Sequence, residues 1–210
     1  VACFTAGSRI APPEGPQPLT ELRPGDLVLT LDRGPCPVRD VLTTDLDHAT
    51  LARRPELRPV VVDPSALGPG RPDRRMHLSP QPWVLMQADG REVLVHARHL
   101  AEELGLARIQ NRRPNPLHYI HLLMAPHALV QVDGVWSESF HAGPEMLRMP
   151  GLARRLGAKG LVAPCSARVR PLLPRADLRR ADAVTPCDRS EAGQDPRPPV
   201  AGHDRQASPG

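Results

Sequence analysis

Aromatic side chains are scarce in this chain: Phe4, Trp83, Tyr119, Trp136 and Phe140 are the only ones among 210 residues. Proteins that grip single-stranded nucleic acid stack successive bases on aromatic rings, and so few rings supply no such platform. Lysine is scarcer still, with Lys159 alone against a large excess of arginine and a net charge of +4. The arginines fall in scattered pairs such as Arg53-Arg54, Arg74-Arg75 and Arg179-Arg180, a pattern of solvated faces and not of a polybasic patch for nucleic acid. No run of about 18 apolar residues occurs, which excludes a membrane-spanning helix. Cys3, Cys36, Cys165 and Cys187 form no Cys-x-x-Cys pair and show no regular spacing, so they read as four separate thiols and not as a zinc site or disulfide framework. His96 and His99 lie three apart. On a strand that spacing directs them to opposite faces, and with no carboxylate beside them no metal and no cofactor is expected. With only Val1 and Ala2 ahead of Cys3 there is no room for an export signal, and the expectation is a fragment or the C-terminal part of a longer product.

What is present is aliphatic. A hydrophobic content of 40% over this length suffices for one core of ordinary size and a small appendage. Short clusters of Val, Leu and Ile recur between Gly, Pro and Asp turns, as in RPGDLVLTLDRGPCPVRDVLTT, RPVVVDPSALG and MHLSPQPWVLMQADGREVLVHARHL. Asp89-Gly90 and Asp133-Gly134 each stand between apolar runs, the local signal for a tight hairpin. The expected fold class is therefore all-β, built of short strands and hairpins. Helical spacing arises only around PEMLRMPGLARRLGA, where Met146, Leu147, Leu152 and Leu156 make a stripe interrupted by Pro150 and Gly151. From about Pro186 the chain turns to Pro, Gly, Asp, Arg and Ser, with Val200 its one large aliphatic residue, too little apolar surface to offset ordering. The expected division is a β domain over 1–145, a partly helical extension over 146–182 and a disordered tail over 183–210.

The first reactive side chain stands almost at the start, in VACFTAGSRIA, before any strand that could bury it. The stretch CFTAGSRIAPPEG at 3–15, then ELRPGDLVLTLDRGPCPVR at 21–39, LSPQPWVLM at 78–86, EVLVHARHL at 92–100 and HYIHLLMAPHALVQVDGVWSESFHAG at 118–143, taken in order, resemble the Hint domain. This is the autoprocessing fold shared by hedgehog C-terminal domains and inteins, and the resemblance is strongest to a bacterial branch that begins Cys-Phe-Thr-x-Gly. It implies that Cys3 attacks the carbonyl of Ala2 and converts a peptide bond into a thioester, which a second nucleophile then resolves. A nucleophile that cuts its own upstream bond has to stand at that junction. The chemistry needs the thiolate fraction raised, the carbonyl polarised and the departing nitrogen protonated.

The same resemblance assigns helpers. Family members carry Thr or Ser, two residues, then His; here the stretch is Ser79-Pro80-Gln81-Pro82, so Ser79 matches and Pro82 replaces the imidazole. Proline has no N–H and no titratable side chain, so it can act neither as acid nor as oxyanion donor. His77 shares a strand face with Ser79 and offers a substitute, while the bland reading is a solvated strand histidine. His121 stands where many inteins have an acidic residue and His127 at a recurrent histidine. Both are candidate supporting groups around Cys3, the alternative for each being a hydrogen-bonded framework imidazole.

Splicing makes one more demand, an asparagine at the end of the domain. The chain has only Asn111 and Asn115, and the family's terminal His-Asn pair maps onto Glu138 and Ser139. N-terminal cleavage or acyl transfer without splicing is the half-reaction that survives. Its partners are the upstream polypeptide in cis and water or a small nucleophile as acceptor. The alternative is a degenerate, inactive Hint scaffold serving as an interaction module of a larger bacterial protein. The resemblance implies proteins that are often exported, with the cytoplasm as the other compartment.

Overall fold

Both Asp-Gly turns close hairpins: Asp89 and Gly90 have φ of 51° and 74°, and Asp133 and Gly134 have φ of 48° and 79°. Two consecutive residues with positive φ make the turn whose twist matches that of the flanking strands. The structure, a computed structural model, describes residues 3–110, 116–140 and 169–187. In chain order its strands are β1 (Phe4–Thr5), β2 (Arg9–Ile10), β3 (Gln17–Pro18), β4 (Leu27–Thr30), β5 (Gly34–Leu46), β6 (Val60–Val62), β7 (Met76–Leu78), β8 (Trp83–Ala88), β9 (Arg91–His96), β10 (Arg108–Ile109), β11 (Leu117–Met124), β12 (Leu129–Val132), β13 (Val135–Glu138) and β14 (Val184–Pro186). Among the described residues three short α-helices accompany them, α1 (His48–Arg53), α2 (Ala97–Glu102) and α3 (Arg175–Leu178). All the strand pairings are antiparallel, and the architecture is all-β as expected.

One continuous ladder runs β10-β6-β7-β1-β11-β5-β4-β12-β13-β8-β14, with β2, β3 and β9 attached at its sides. The long strand β5 joins its two halves. Its first residues pair with β4, Val28 opposite Cys36, and the remainder pairs with β11, Tyr119 opposite Thr44. Strand β11 is buried along nearly its whole length, which explains why HYIHLLM lacks a clean polar alternation. Ile120, Leu122 and Met124 join Phe4 and Leu78 in the main core, while Leu117 and Tyr119 project to the other face and pack with Cys3, Leu51, Leu46 and Leu57.

Two expectations need correction. His96 ends β9, but a helix begins at the next residue, so His99 turns back and the two imidazole centroids lie 5.3 Å apart instead of on opposite faces. The alternating spacing stops at Ala97, where the backbone amide bonds to the carbonyl of Pro82. The boundary expected at 183 also falls inside ordered chain. Residues Val184–Pro186 form β14 against β8, and Leu178 and Cys187 are buried. Ala183, Val184 and Cys187 are apolar residues at the head of the expected tail, and an open strand edge holds them, a context that the composition of the whole tail does not reveal. The stripe around Met146 to Leu156 and the tail from 188 lie outside the described residues.

Candidate functional site

Strand β1 is two residues long and wedged between β7 and β11, with Phe4 opposite Leu78 on one side and Ile120 on the other. Its shortness does not matter, because both edges are paired. Ala6 donates its amide to the carbonyl of His118, 3.1 Å, so Ala6 and Phe4 are the hydrogen-bonded positions against β11. Cys3 and Thr5 are then the non-hydrogen-bonded ones, and continuing the register sets Cys3 opposite His121. In such pairs the Cα atoms approach to about 4.5 Å and the side chains stand on the same face. On the other side the amide of Ser79 donates to the carbonyl of Cys3 at 2.9 Å. Three residues separated by up to 118 positions in the chain thus meet across three adjacent strands.

The polarity of this face follows from period two. Phe4, Leu78 and Ile120 point into the main core, which leaves Cys3, Ser79 and His121 on the opposite face together with Thr5, His77 and Tyr119. That face is covered. Helix α1, capped by the Asp47 side chain accepting from the Thr50 amide, lays Leu51 over it, and the following turn is tied down by Tyr119, whose hydroxyl donates to the carbonyl of Leu57 at 2.8 Å. Cys3 is 5% exposed. Burial pushes its thiol up to about 12, opposed by the hydrogen bond with the Ser79 side chain, which favours the thiolate. Tyr119 is pushed up as well, by burial and by the neighbouring Cys3.

His121 is fully buried, with Nε2 2.9 Å from Thr44 Oγ1 and its ring meeting that of Phe140 edge-on at 5.7 Å. Phe140 reaches it because the chain leaving β13 crosses to β11, where the Phe140 amide bonds to the carbonyl of Leu122. The edge of β11 therefore changes hands beside the site: β1 occupies it as far as Cys3 opposite His121, and Phe140 occupies the next hydrogen-bonding position. Cys3 and Phe140 thus share one edge of β11.

His127 sits elsewhere on this exit path. Its Nε2 lies 3.1 Å from Glu138 Oε1 and its Nδ1 3.0 Å from Ser139 Oγ, all three residues being buried. The Ser139 oxygen also accepts from the Ala128 amide, so the hydroxyl is held between that amide and the His127 ring, whose other nitrogen faces the carboxylate. The network pins the end of β13 immediately before Phe140. Glu138 and Ser139, which sequence comparison placed at the family's terminal pair, are thus the anchors of His127. His77 lies near Arg75 and Arg108, and burial together with these cations lowers its pKa, only partly offset by Asp63. Pro82 is buried, its carbonyl accepting from the Ala97 amide, so the loop from Ser79 is fastened to the start of α2. Among the described residues no group of three or more His, Cys, Asp or Glu is arranged to hold a metal ion. Sequence reasoning missed Thr44 and Phe140. The signal for both is register, which appears only once β5 and the exit segment are aligned on β11.

Comparison with known proteins bears on this arrangement. A family model described as the Hint domain matches residues 2–144. No curated protein matches the chain. Among solved structures, the chain is similar to the AceL NrdHF class 3 split intein at 10% identity, with 65% of this chain and 97% of that chain covered and a TM-score of 0.45. The gp41-1 intein is similar at 9% identity over 65% and 98% of the two chains with a TM-score of 0.37, and the MchDnaB-1 intein at 11% over 65% and 99% with 0.36.

Proposed function

The chain belongs to the Hint domain family, and we propose that it is an autoprocessing module that cleaves or transfers its upstream segment without splicing. Cys3 gives up its thiol proton to His121. Its sulfur attacks the Ala2 carbonyl carbon, and the carbon–sulfur bond forms as the carbon–nitrogen bond to Cys3 breaks. The departing nitrogen takes the proton from His121 and becomes an amine, leaving the upstream segment as a thioester. Water or a small thiol then attacks the same carbonyl, and the sulfur leaves and regains a proton. Ser79 hydrogen-bonds the sulfur and offsets part of its burial. His127 holds the exit strand through Glu138 and Ser139, so that Phe140 reaches His121. The observation that supports the reading is the register of β1, which pairs Phe4 with Leu78 and Ile120 and, continued by one residue, brings Cys3 opposite His121, with the Ser79 amide on the Cys3 carbonyl.

A second reading, an inactive scaffold, is favoured by Pro82 in place of the family histidine and by a thiol held near 12. One experiment separates them. A soluble reporter is fused ahead of Cys3 through native upstream residues, and cleavage is followed with and without dithiothreitol. Autoprocessing gives thiol-accelerated release that Cys3→Ala abolishes. Pro82→His is expected to raise the rate, since general acid catalysis contributes about 10² to 10⁴-fold. Pro82→Ala controls for backbone freedom. An intact fold with no cleavage in either the parent or Pro82→His leaves the scaffold reading standing.

A further inference from the structure

Thr44 stands near the C-terminal end of β5 with no motif around it. Strand β5 flanks β11 on the edge away from β1, and Thr44 is paired with Tyr119, one strand and two residues from His121. Its hydroxyl oxygen nonetheless lies 2.9 Å from His121 Nε2. The Phe140 ring meets the imidazole edge-on, with 84° between the ring planes. His121 is 0% exposed, so bulk water does not compete for that nitrogen. Thr44 itself is only partly buried. Its own hydroxyl proton can go to solvent, which frees a lone pair to accept from Nε2–H. Which nitrogen of a neutral histidine carries the proton is set by the partner of the other.

We propose that Thr44 is the positioning residue for His121: by accepting from Nε2–H it leaves Nδ1 unprotonated, as the nitrogen that exchanges a proton with Cys3, while Phe140 restrains rotation of the ring. This rests on the autoprocessing reading, because only there does the tautomer of His121 matter for a reaction. It assigns the base in the first step to a defined atom. When His121 accepts the thiol proton it becomes an imidazolium with donors at both nitrogens, and the Thr44 oxygen remains a fitting partner for Nε2–H. A positively charged ring in a buried site is stabilised by any oriented acceptor. Valine in place of Thr44 keeps the shape of the side chain and removes that acceptor.

The test has two readouts on the full chain. Nitrogen-15 NMR of labelled histidine reports the protonation of Nδ1 and Nε2 of His121, and the reporter fusion reports cleavage against pH. In the parent, neutral His121 is expected as the Nε2–H tautomer. Thr44→Val is expected to mix the tautomers, to lower the pH at which the ring charges, and to slow thiol-induced cleavage by about 10- to 100-fold, the scale of a misplaced reacting group. Thr44→Ser restores both readouts, which a role confined to packing does not predict. Should Thr44→Val fail to fold, Thr44→Ala removes the same acceptor with less demand on packing. An unchanged tautomer in a folded Thr44→Val or Thr44→Ala overturns the proposal. A parent that never cleaves, yet whose His121 tautomer responds to Thr44, counts against autoprocessing and supports the positioning.

Discussion

A thiol that ionises near 12 is almost wholly protonated at neutral pH, so Cys3 is poorly reactive until its proton has somewhere to go. The expected rate of uncatalysed alkylation at Cys3 is low and climbs steadily with pH. Cys36, half-exposed on β5, serves as the internal comparison. Peptide mass spectrometry after brief iodoacetamide treatment at pH 8 should find Cys36 modified well before Cys3, and equal labelling would show that the cover over Cys3 is open. The same shift has a stability consequence. The thiol's pKa is raised in the folded state above its ordinary value of 9.0, so its contribution is fully present below about 9 and is lost as pH rises toward 12. At about 1.4 kcal/mol per unit the loss is on the order of 4 kcal/mol over that window. Cys3→Ala should flatten the alkaline limb of denaturation midpoint against pH. A limb of unchanged slope would mean that another group causes it.

Elements, not single residues, decide how His127 acts. It joins Glu138 and Ser139 across the end of β12 and β13, and the chain then delivers Phe140 to the imidazole beside Cys3. Removing one partner of a buried pair costs about 3 kcal/mol. His127→Ala is therefore expected to lower unfolding free energy by roughly that amount and to slow cleavage through the displaced exit strand. Slowed cleavage at full stability would instead assign His127 a direct chemical part. A second inter-element tie joins α2 to α3: Glu103 accepts from Arg179 at 2.7 Å and also from Arg175. The Arg179 hydrogen bond comes first among the causes that hold the Glu103 carboxyl down at about 2. Because that pKa is depressed in the folded state, the tie is complete above the ordinary carboxyl value of 4.5 and is lost as pH falls toward 2. Hydrogen exchange of the 175–179 segment should rise across that window, and Glu103→Gln should show the fast exchange already at neutral pH.

Much of this was legible as elements. Aliphatic clusters between turn residues announced the strands, and the two Asp-Gly dipeptides announced their hairpins, because tight turns are local chemistry. The ordered segments from Cys3 to Phe140 announced the family. Long-range register was not legible. Nothing local states that Thr44 lies beside His121, that Phe140 takes over the edge of β11 from Cys3, or that His99 folds back toward His96, since each depends on partners tens of residues away. Side-chain parity along one strand is written in sequence, whereas the identity of the neighbouring strand is settled by the whole sheet.

At the scale of the whole molecule the family match stops at residue 144, yet the described residues 169–187 are tied into the same sheet. The amide of Leu94 donates to the carbonyl of Pro171 and the amide of Leu173 donates back to Leu94, which covers the outer edge of β9. Strand β14 covers the edge of β8, and Arg170 bridges Asp32, in the turn between β4 and β5, and Glu92 of β9. Sheet edges left open invite pairing with other chains, so this returning segment both completes the core and closes two edges. Leu178, 4% exposed, is its deepest anchor. Burial of one leucine contributes about 1.5–3 kcal/mol, before the backbone bonds to β8 and β9 are counted. Two truncations therefore behave differently. Ending the chain after Cys187 removes only residues of low apolar content and is expected to leave the denaturation midpoint unchanged. Ending it at 168 exposes both strand edges and should cost at least about 2 kcal/mol and promote self-association, seen as a lower midpoint in urea and a faster-sedimenting species. If the shorter chain matches the longer in both measurements, the segment is a passenger on a domain that is complete by residue 144.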